Sequence, residues 1–171
     1  LWNLGLVSRA RGDFAEAESQ IREALSIYAK EHVPVHYRSN KPSVICLLAD
    51  IVQRQGRLAE AEALYRAALK VREQRHESKS WSTFENHSLL GGCLVAQEKY
   101  SAAEPLLISG YEGMKRFEPT ATSDERPRIK EALGNLVKTY EATAQPAKAA
   151  EWKQKLAAFE QAEAAKKPAA K

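Results

Sequence analysis

The 171-residue sequence predicts an all-α protein, a right-handed α-solenoid of about four antiparallel helix pairs. Three observations predict it. One internal signature recurs four times: a leucine with a small or apolar neighbour, a break, an aromatic or apolar residue, then an alanine. The copies read Leu4-Gly5, Gly12, Phe14, Ala17; Leu48-Ala49, Gly56, Leu58, Ala61; Leu90-Gly91, Glu98, Tyr100, Ala103; and Leu136-Val137, Ala144, Pro146, Ala149. The leucine precedes Phe14, Leu58, Tyr100 or Pro146 by ten positions in every copy, whereas those four residues lie 44, 42 and 46 apart. Fixed internal spacing with variable spacers is the mark of stacked repeats, because loops absorb the differences. Small residues also recur at helical spacing on both sides of a short turn. In 88–114, Leu90, Gly91 and Leu94 share one helical face and Ala103, Leu107 and Gly110 another, which lets two helices pack closely. Finally, no segment of useful length alternates with period two, so no sheet is expected.

Taken in order, the pattern predicts helices over 1–11 and 14–31, 40–55 and 58–76, 81–97 and 100–117, and 125–143 and 146–163. The repeats are about 1–37, 38–79, 80–122 and 123–163, followed by a flexible Lys/Ala-rich tail at 164–171. Gly12 and Gly56 suit helix C-terminal positions. Between the pairs lie segments rich in Pro, Ser, Thr and Asn, which end helices and cap new ones. Pro42 and Pro127 fall at first turns, where a missing N–H costs little. On the last helix Ala149, Trp152, Leu156 and Phe159 form an inward stripe, with Glu151, Gln154, Lys155 and Gln161 wet, as a terminal cap of a stack requires. The opening LWNLGLVSRARGDF reads as helix interior with no cap before it, so the chain is expected to be a fragment of a longer polypeptide.

Composition is that of an ordinary soluble domain, 44% hydrophobic and 28% charged. No apolar run approaches the roughly 20 residues a bilayer demands, so no membrane partner is expected. Cys46 and Cys93 are far apart inside helical patterns and read as buried or half-buried free thiols, which fits a reducing compartment; a cytoplasmic location is expected. The net charge of +4 is mild, with cations and glutamates interleaved.

The same residues resemble the tetratricopeptide repeat family over about 1–163. Its pattern W-x2-L-G-x2-Y, then A-x3-F, is partly met in each copy, as Leu4-Gly5 with Ala17-x3-Ile21 in the first and Leu133, Leu136, Val137, Tyr140 in the fourth. The period exceeds the roughly 34 residues of the basic repeat, which resembles the extended, kinesin-light-chain-like variant; AEALYRAALKVRE at 61–73 and AEPLL at 103–107 share its character. Residues 88–115 and 131–156 resemble, more narrowly, the C-terminal repeat region of large bacterial Ser/Thr protein kinases. The chain itself has no glycine-rich loop, HRD or DFG, so that resemblance concerns a parent protein. Copy four departs at Pro146 and Lys153, where the family prefers aromatic or apolar residues. The resemblance implies a protein-interaction scaffold that binds a peptide or protein, with no cofactor.

Candidate chemistry is sparse. His32 and His36 stand i,i+4, a metal spacing on a helix, but Pro34 breaks that helix and the pair reads as loop. His76-Glu77 and His87 have no partners at ligand spacing, and no serine or cysteine has a recognisable base. No catalytic residue, metal or cofactor is assigned. Asp124-Glu125 beside Arg126 and Arg128 reads as a charged helix start, and Arg72, Arg75 and Lys115-Arg116 as cations at helix C-termini. Nucleic-acid binding would need a denser basic stripe with interleaved aromatics, and none is expected. Trp2, Trp81 and Trp152 read as packing residues. A nucleic-acid-binding or catalytic helical domain remains the alternative to the scaffold.

The binding groove follows from geometry. In stacked pairs, the face of each first helix opposite its buried set lines the concave side. Copy one offers Trp2, Leu6 and Arg9; copy two Ser43, Cys46, Asp50, Gln53 and Arg54. Copy three offers Glu85, Ser88, Gly92, Val95 and Ala96; copy four Glu131, Gly134, Lys138, Glu141 and Ala142. Plain solvated surface is the competing reading of each. The Lys/Asn/Arg set with which some tetratricopeptide domains clamp a C-terminal carboxylate is missing, because Cys46, Asp50, Ser88 and Gly92 occupy that kind of position; that ligand is not expected. Gly92 and Gly134 either form a bare shelf against which a partner lies, flanked by Asp50, Arg54, Lys138 and Glu141, or merely relieve crowding between repeats. Gly91 falls instead on the face packed against its own partner helix.

Overall fold

The computed structural model describes residues 1–29 and 40–166, and the His32/His36 pair lies outside them. Among the described residues there are eight α-helices and no strand. They are α1 (Trp2–Arg11) with α2 (Phe14–Tyr28), α3 (Lys41–Arg54) with α4 (Leu58–Gln74), α5 (Trp81–Ala96) with α6 (Tyr100–Phe117), and α7 (Arg126–Ala142) with α8 (Pro146–Lys166). Each helix packs against its partner, and each second helix packs against the first helix of the next pair; α5 and α7 also touch. That connectivity is an α-solenoid.

All four intra-pair turns are built alike. Gly12 (φ 86), Gly56 (φ 82), Glu98 (φ 60) and Ala144 (φ 53) take the left-handed conformation at the same repeat position. The following amide then reaches back to close the preceding helix: Asp13 N–H to Ser8 O at 2.9 Å, Arg57 to Val52 at 3.2 Å, Lys99 to Leu94 at 2.9 Å and Gln145 to Tyr140 at 2.9 Å. This bond pattern satisfies carbonyls the helix end leaves orphaned, and glycine takes the corner without strain. The sequence breaks therefore mark a geometry that Glu98 and Ala144 also adopt.

Other boundaries have local causes. Ser80 caps α5, its Oγ accepting the Thr83 amide at 3.3 Å. Pro42 and Pro127 sit in first turns as expected. Glu125 Oε2 accepts the Thr122 amide at 2.8 Å, which shapes the approach to α7. α4 stops at Gln74, short of the expected 76, because His76 turns left-handed at φ 57. A 3₁₀ turn at Glu118–Thr120, which the sequence pattern does not signal, follows α6. α8 runs to Lys166, three residues into the stretch read as tail.

The core is a row of seams. Ala17, Ala61, Ala103 and Ala149 are all buried, followed by Ile21, Tyr65 and Leu107 at the same register. Copy four shifts: Lys153 at that register is exposed and pairs with Glu141 at 2.6 Å, while Trp152 is buried edge-on to Tyr111, centroids 5.2 Å apart. Leu48, Leu90 and Leu136 are buried, but their counterpart Leu4 is 55% exposed, since α3, α5 and α7 each lie on a preceding second helix and α1 does not. Ion pairs cross the joints between repeats at the fourth residue after each turn: Glu18 to Arg57 at 2.8 Å, Glu62 to Lys99 at 2.8 Å and Glu104 to Lys148 at 3.5 Å. At the third joint the Tyr140 hydroxyl also donates to Glu104 at 2.7 Å. No helix among the described residues is long and apolar enough to cross a membrane.

Candidate functional site: a groove along the first helices

The four first helices share one groove with two cavities. A near cavity of about 200 Å³ is walled by Trp2, Leu6 and Arg9 of α1, by Ser43, Cys46, Leu47 and Asp50 of α3, and by Ser82, Glu85, Asn86 and Leu89 of α5, with Arg72 and Arg128 reaching in. A far cavity of about 310 Å³ takes Asp50 and Gln53 from α3, Leu89, Gly92, Val95 and Ala96 from α5, and Glu131, Asn135 and Lys138 from α7, with Tyr65 behind. Asp50 and Leu89 belong to both, so the cavities are neighbours along the groove.

Most of the residues expected in the groove come together there. Trp2, Leu6, Arg9, Cys46, Asp50 and Glu85 line the near cavity; Gln53, Gly92, Val95 and Lys138 line the far one. Three do not. Ser88 is 4% exposed and sits in the seam of its own pair, its amide 2.7 Å from where a side chain on Gly110 would begin. Arg54 lies at the rim, exposed, donating to Asp50 at 3.2 Å. Glu141 lies beyond, beside the turn before α8. The groove stripe of α5 is 82, 85–86, 89, 92 and 95–96, one step from the expected face.

Gly92 and Gly134 differ. A Cβ on Gly134 would meet nothing within 4 Å, whereas one on Gly92 would lie 2.7 Å from Asn135 Nδ2 of the next repeat. The Asn135 amide thus rests on Gly92, which is part of the crowding relief considered above, and both remain in the far cavity wall.

Charge in the groove is mixed and largely paired. Asp50, 8% exposed, accepts from Arg9 at 2.7 Å and from Arg54 at 3.2 Å. Glu85 accepts from Arg128 at 3.2 Å; burial pushes its carboxyl up, with Arg128 and Arg72 pulling the other way. Burial works against the Arg128 charge too, but Glu131 and Glu85 outweigh it and raise its pKa. Burial pushes the Cys46 thiol up to about 12, so it stays protonated, and both cysteines are free. His87 lies outside the groove, its ring 3.0 Å from Ser109 Oγ, with its pKa lowered by burial. Among the described residues no group of three or more His, Cys, Asp or Glu could hold a metal ion.

Arg72, Asn86, Leu89, Arg128 and Asn135 are groove residues the sequence pattern does not reveal as such. Arg72 comes from the last turn of a second helix and Arg128 from the first turn of α7, so both reach the groove through tertiary placement. Leu89 reads as core from its type. Only the 3.5-residue stripe through Glu85, Gly92 and Ala96 could have indicated it.

Comparison with known proteins agrees with this architecture. Two tetratricopeptide repeat family models match, over residues 43–116 and 3–37, together more than half of the chain. BtubC (BKLC) from P. vanneervenii is similar in structure at TM-score 0.56 and 19% identity, covering 98% of this chain and 81% of that one. A Podosopora anserina chain of nearly identical TPR-like repeats, described as a kinesin light chain, gives TM-score 0.54 and 16% identity, covering 97% and 95%. At these identities the likeness concerns the fold. No curated protein sequence matches significantly. Repeats of this kind are in general protein-interaction scaffolds. With four helix pairs, left-handed corners at one register and two matching family models, the chain belongs to the tetratricopeptide repeat family.

Proposed function

We propose that the chain binds a peptide or protein segment, extended or helical, along the groove of its first helices. The observation that carries this is the adjacency of the two cavities at Asp50 and Leu89, in a groove walled by all four pairs. Mixed, mostly paired charge suits a polar or amphipathic segment over a strongly acidic or basic one. The module works by binding and not by catalysis: burial pushes both thiols up, and the His87–Ser109 contact at 3.0 Å lies outside the groove. Free buried thiols also fit a cytoplasmic setting. On the resemblance of 88–115 and 131–156, the parent is a larger protein such as a bacterial Ser/Thr kinase; HRD and DFG motifs in the upstream reading frame would support that, and their absence would remove it.

The test uses peptides selected from a random dodecamer library on the wild-type chain. Gly92→Arg, which fills the far cavity, should weaken their binding at least tenfold, while Ala67→Arg on the exposed side of α4 should leave it unchanged. Normal binding by Gly92→Arg together with loss in Ala67→Arg would move the site to the convex face.

A further inference from the structure

We propose that the near cavity receives one uncharged side-chain amide, an asparagine or glutamine of the bound segment; this rests on the groove reading above and deepens it. Two buried polar atoms of residues that line it have no hydrogen-bond partner, Arg72 Nε and Asn86 Oδ1. Their residues are only 5% and 0% exposed, so bulk water does not serve them. Each of their other side-chain nitrogens has a partner. Arg72 donates through Nη2 to Ser43 Oγ at 3.2 Å and through Nη1 to Glu77 at 3.5 Å, which leaves the Nε–H. Asn86 donates through Nδ2 to the Tyr65 carbonyl at 3.4 Å. That carbonyl only accepts, so turning the amide over would set oxygen against oxygen; Oδ1 is the atom left over. The nearby Cys46 thiol offers Arg72 only a sulfur, a weak acceptor.

One orphaned donor and one orphaned acceptor on two residues of the same small cavity call for a guest that accepts one hydrogen bond and donates another. A primary amide does both: its oxygen takes the Arg72 Nε–H and its NH₂ serves Asn86 Oδ1. Charged guests fit worse. A carboxylate would answer Arg72 but set a second acceptor against Asn86 Oδ1, which would stay without a donor. A cation would meet Arg9, Arg72 and Arg128 and leave the Nε–H unpaired. Asp50 and Glu85 are already held by Arg9 and Arg128, so neither needs a cationic guest. The apolar faces of Trp2 and Leu6 would lie along the methylenes of a glutamine.

The experiment observes the Arg72 Nε–H and the Asn86 side-chain amide directly by ¹H–¹⁵N NMR of the wild-type chain. Probes are the N-acetyl N-methylamides of glutamine, glutamate and norvaline. The glutamine probe should shift both resonances saturably and bind at least tenfold tighter than either other probe, and Asn86→Asp should abolish the difference. An equal or larger response to the glutamate probe overturns the proposal in favour of a carboxylate site. No saturable response, with exchange peaks from Arg72 Nε–H to water, overturns it in favour of a bridging water. The wild-type arms decide even where Asn86→Asp fails to fold. Gly92 lines only the far cavity, so Gly92→Arg should respond to the glutamine probe as the wild type does. Library peptides that need Gly92 while the wild type ignores glutamine would sink the amide pocket and leave the groove standing. Peptides that map to Ala67 would sink the groove.

Discussion

Gly91 and Gly92 are adjacent in α5 and face different worlds. A Cβ on Gly91 would lie 2.7 Å from Leu107 Cγ, and in the same seam one on Gly110 would lie 2.7 Å from the Ser88 amide and 2.9 Å from the Phe84 carbonyl. A Cβ on Gly92 would touch only the end of the Asn135 side chain, and one on Gly134 nothing. In the seam, glycine is required because Gly110 faces backbone that cannot yield and Gly91 faces the branch of the fully buried Leu107. In the groove it is permitted because the space is open or flexibly filled. The residue type alone therefore does not signal a site; the rigidity of what faces it does.

Substitutions can break or sharpen this contrast. Gly110→Leu drives a side chain into backbone and should destabilise by about 3 kcal/mol or more, read from the urea midpoint. Ala103→Leu overpacks the same seam, where Ala103 is 0% exposed, and should cost about 1–3 kcal/mol; unchanged thermal stability would show that the seam is less rigid than argued. Gly134→Ala should go the other way, gaining up to about 1 kcal/mol from helix propensity with nothing to clash. A smaller effect tests the joints. The hydrogen bond from Lys99, joined by those from Arg66 and Gln97, holds the Glu62 carboxyl at about 2 against an ordinary 4.5. A depressed carboxyl contributes stability that is whole above about pH 4.5 and lost as pH falls towards 2. Lys99 is 51% exposed, so the solvent-screened pair should be worth about 1 kcal/mol at most. Glu62→Gln should flatten the acid limb of the pH–stability curve by that amount. Smallest, Ala144→Gly relieves a left-handed corner and should stabilise by a few tenths of a kcal/mol.

The repeat was legible because it is local: the corner, the alanine three residues after the turn and the leucine ten residues before it are all close in sequence. The seam glycines Gly91 and Gly110 were legible for the same reason. The groove was legible to within one residue on α5. An opposite face drawn from helical geometry placed Ser88 outward, whereas contact of α5 with α6, α4 and α7 at once leaves only the narrow stripe through Leu89. Arg72, Asn86 and Arg128 were not legible as site residues. Arg72 meets Ser43 across 29 positions and Asn86 meets Tyr65 across 21, separations that no periodicity encodes.

The carboxylates at the joints make the stack respond unevenly to its medium. Glu18–Arg57 and Glu62–Lys99 are ion pairs near the surface, and dissolved salt screens such attractions. The third joint holds Glu104 with a neutral hydroxyl at 2.7 Å as well as with Lys148, and a neutral donor loses little to screening. A small angular play at a joint is multiplied by every repeat beyond it. Rising ionic strength should therefore loosen the pitch of the first two joints while α7 and α8 move as one piece with α6. The trough would then change curvature where α1, α3 and α5 meet, around Trp2 and Asp50, while its α5–α7 wall keeps its shape.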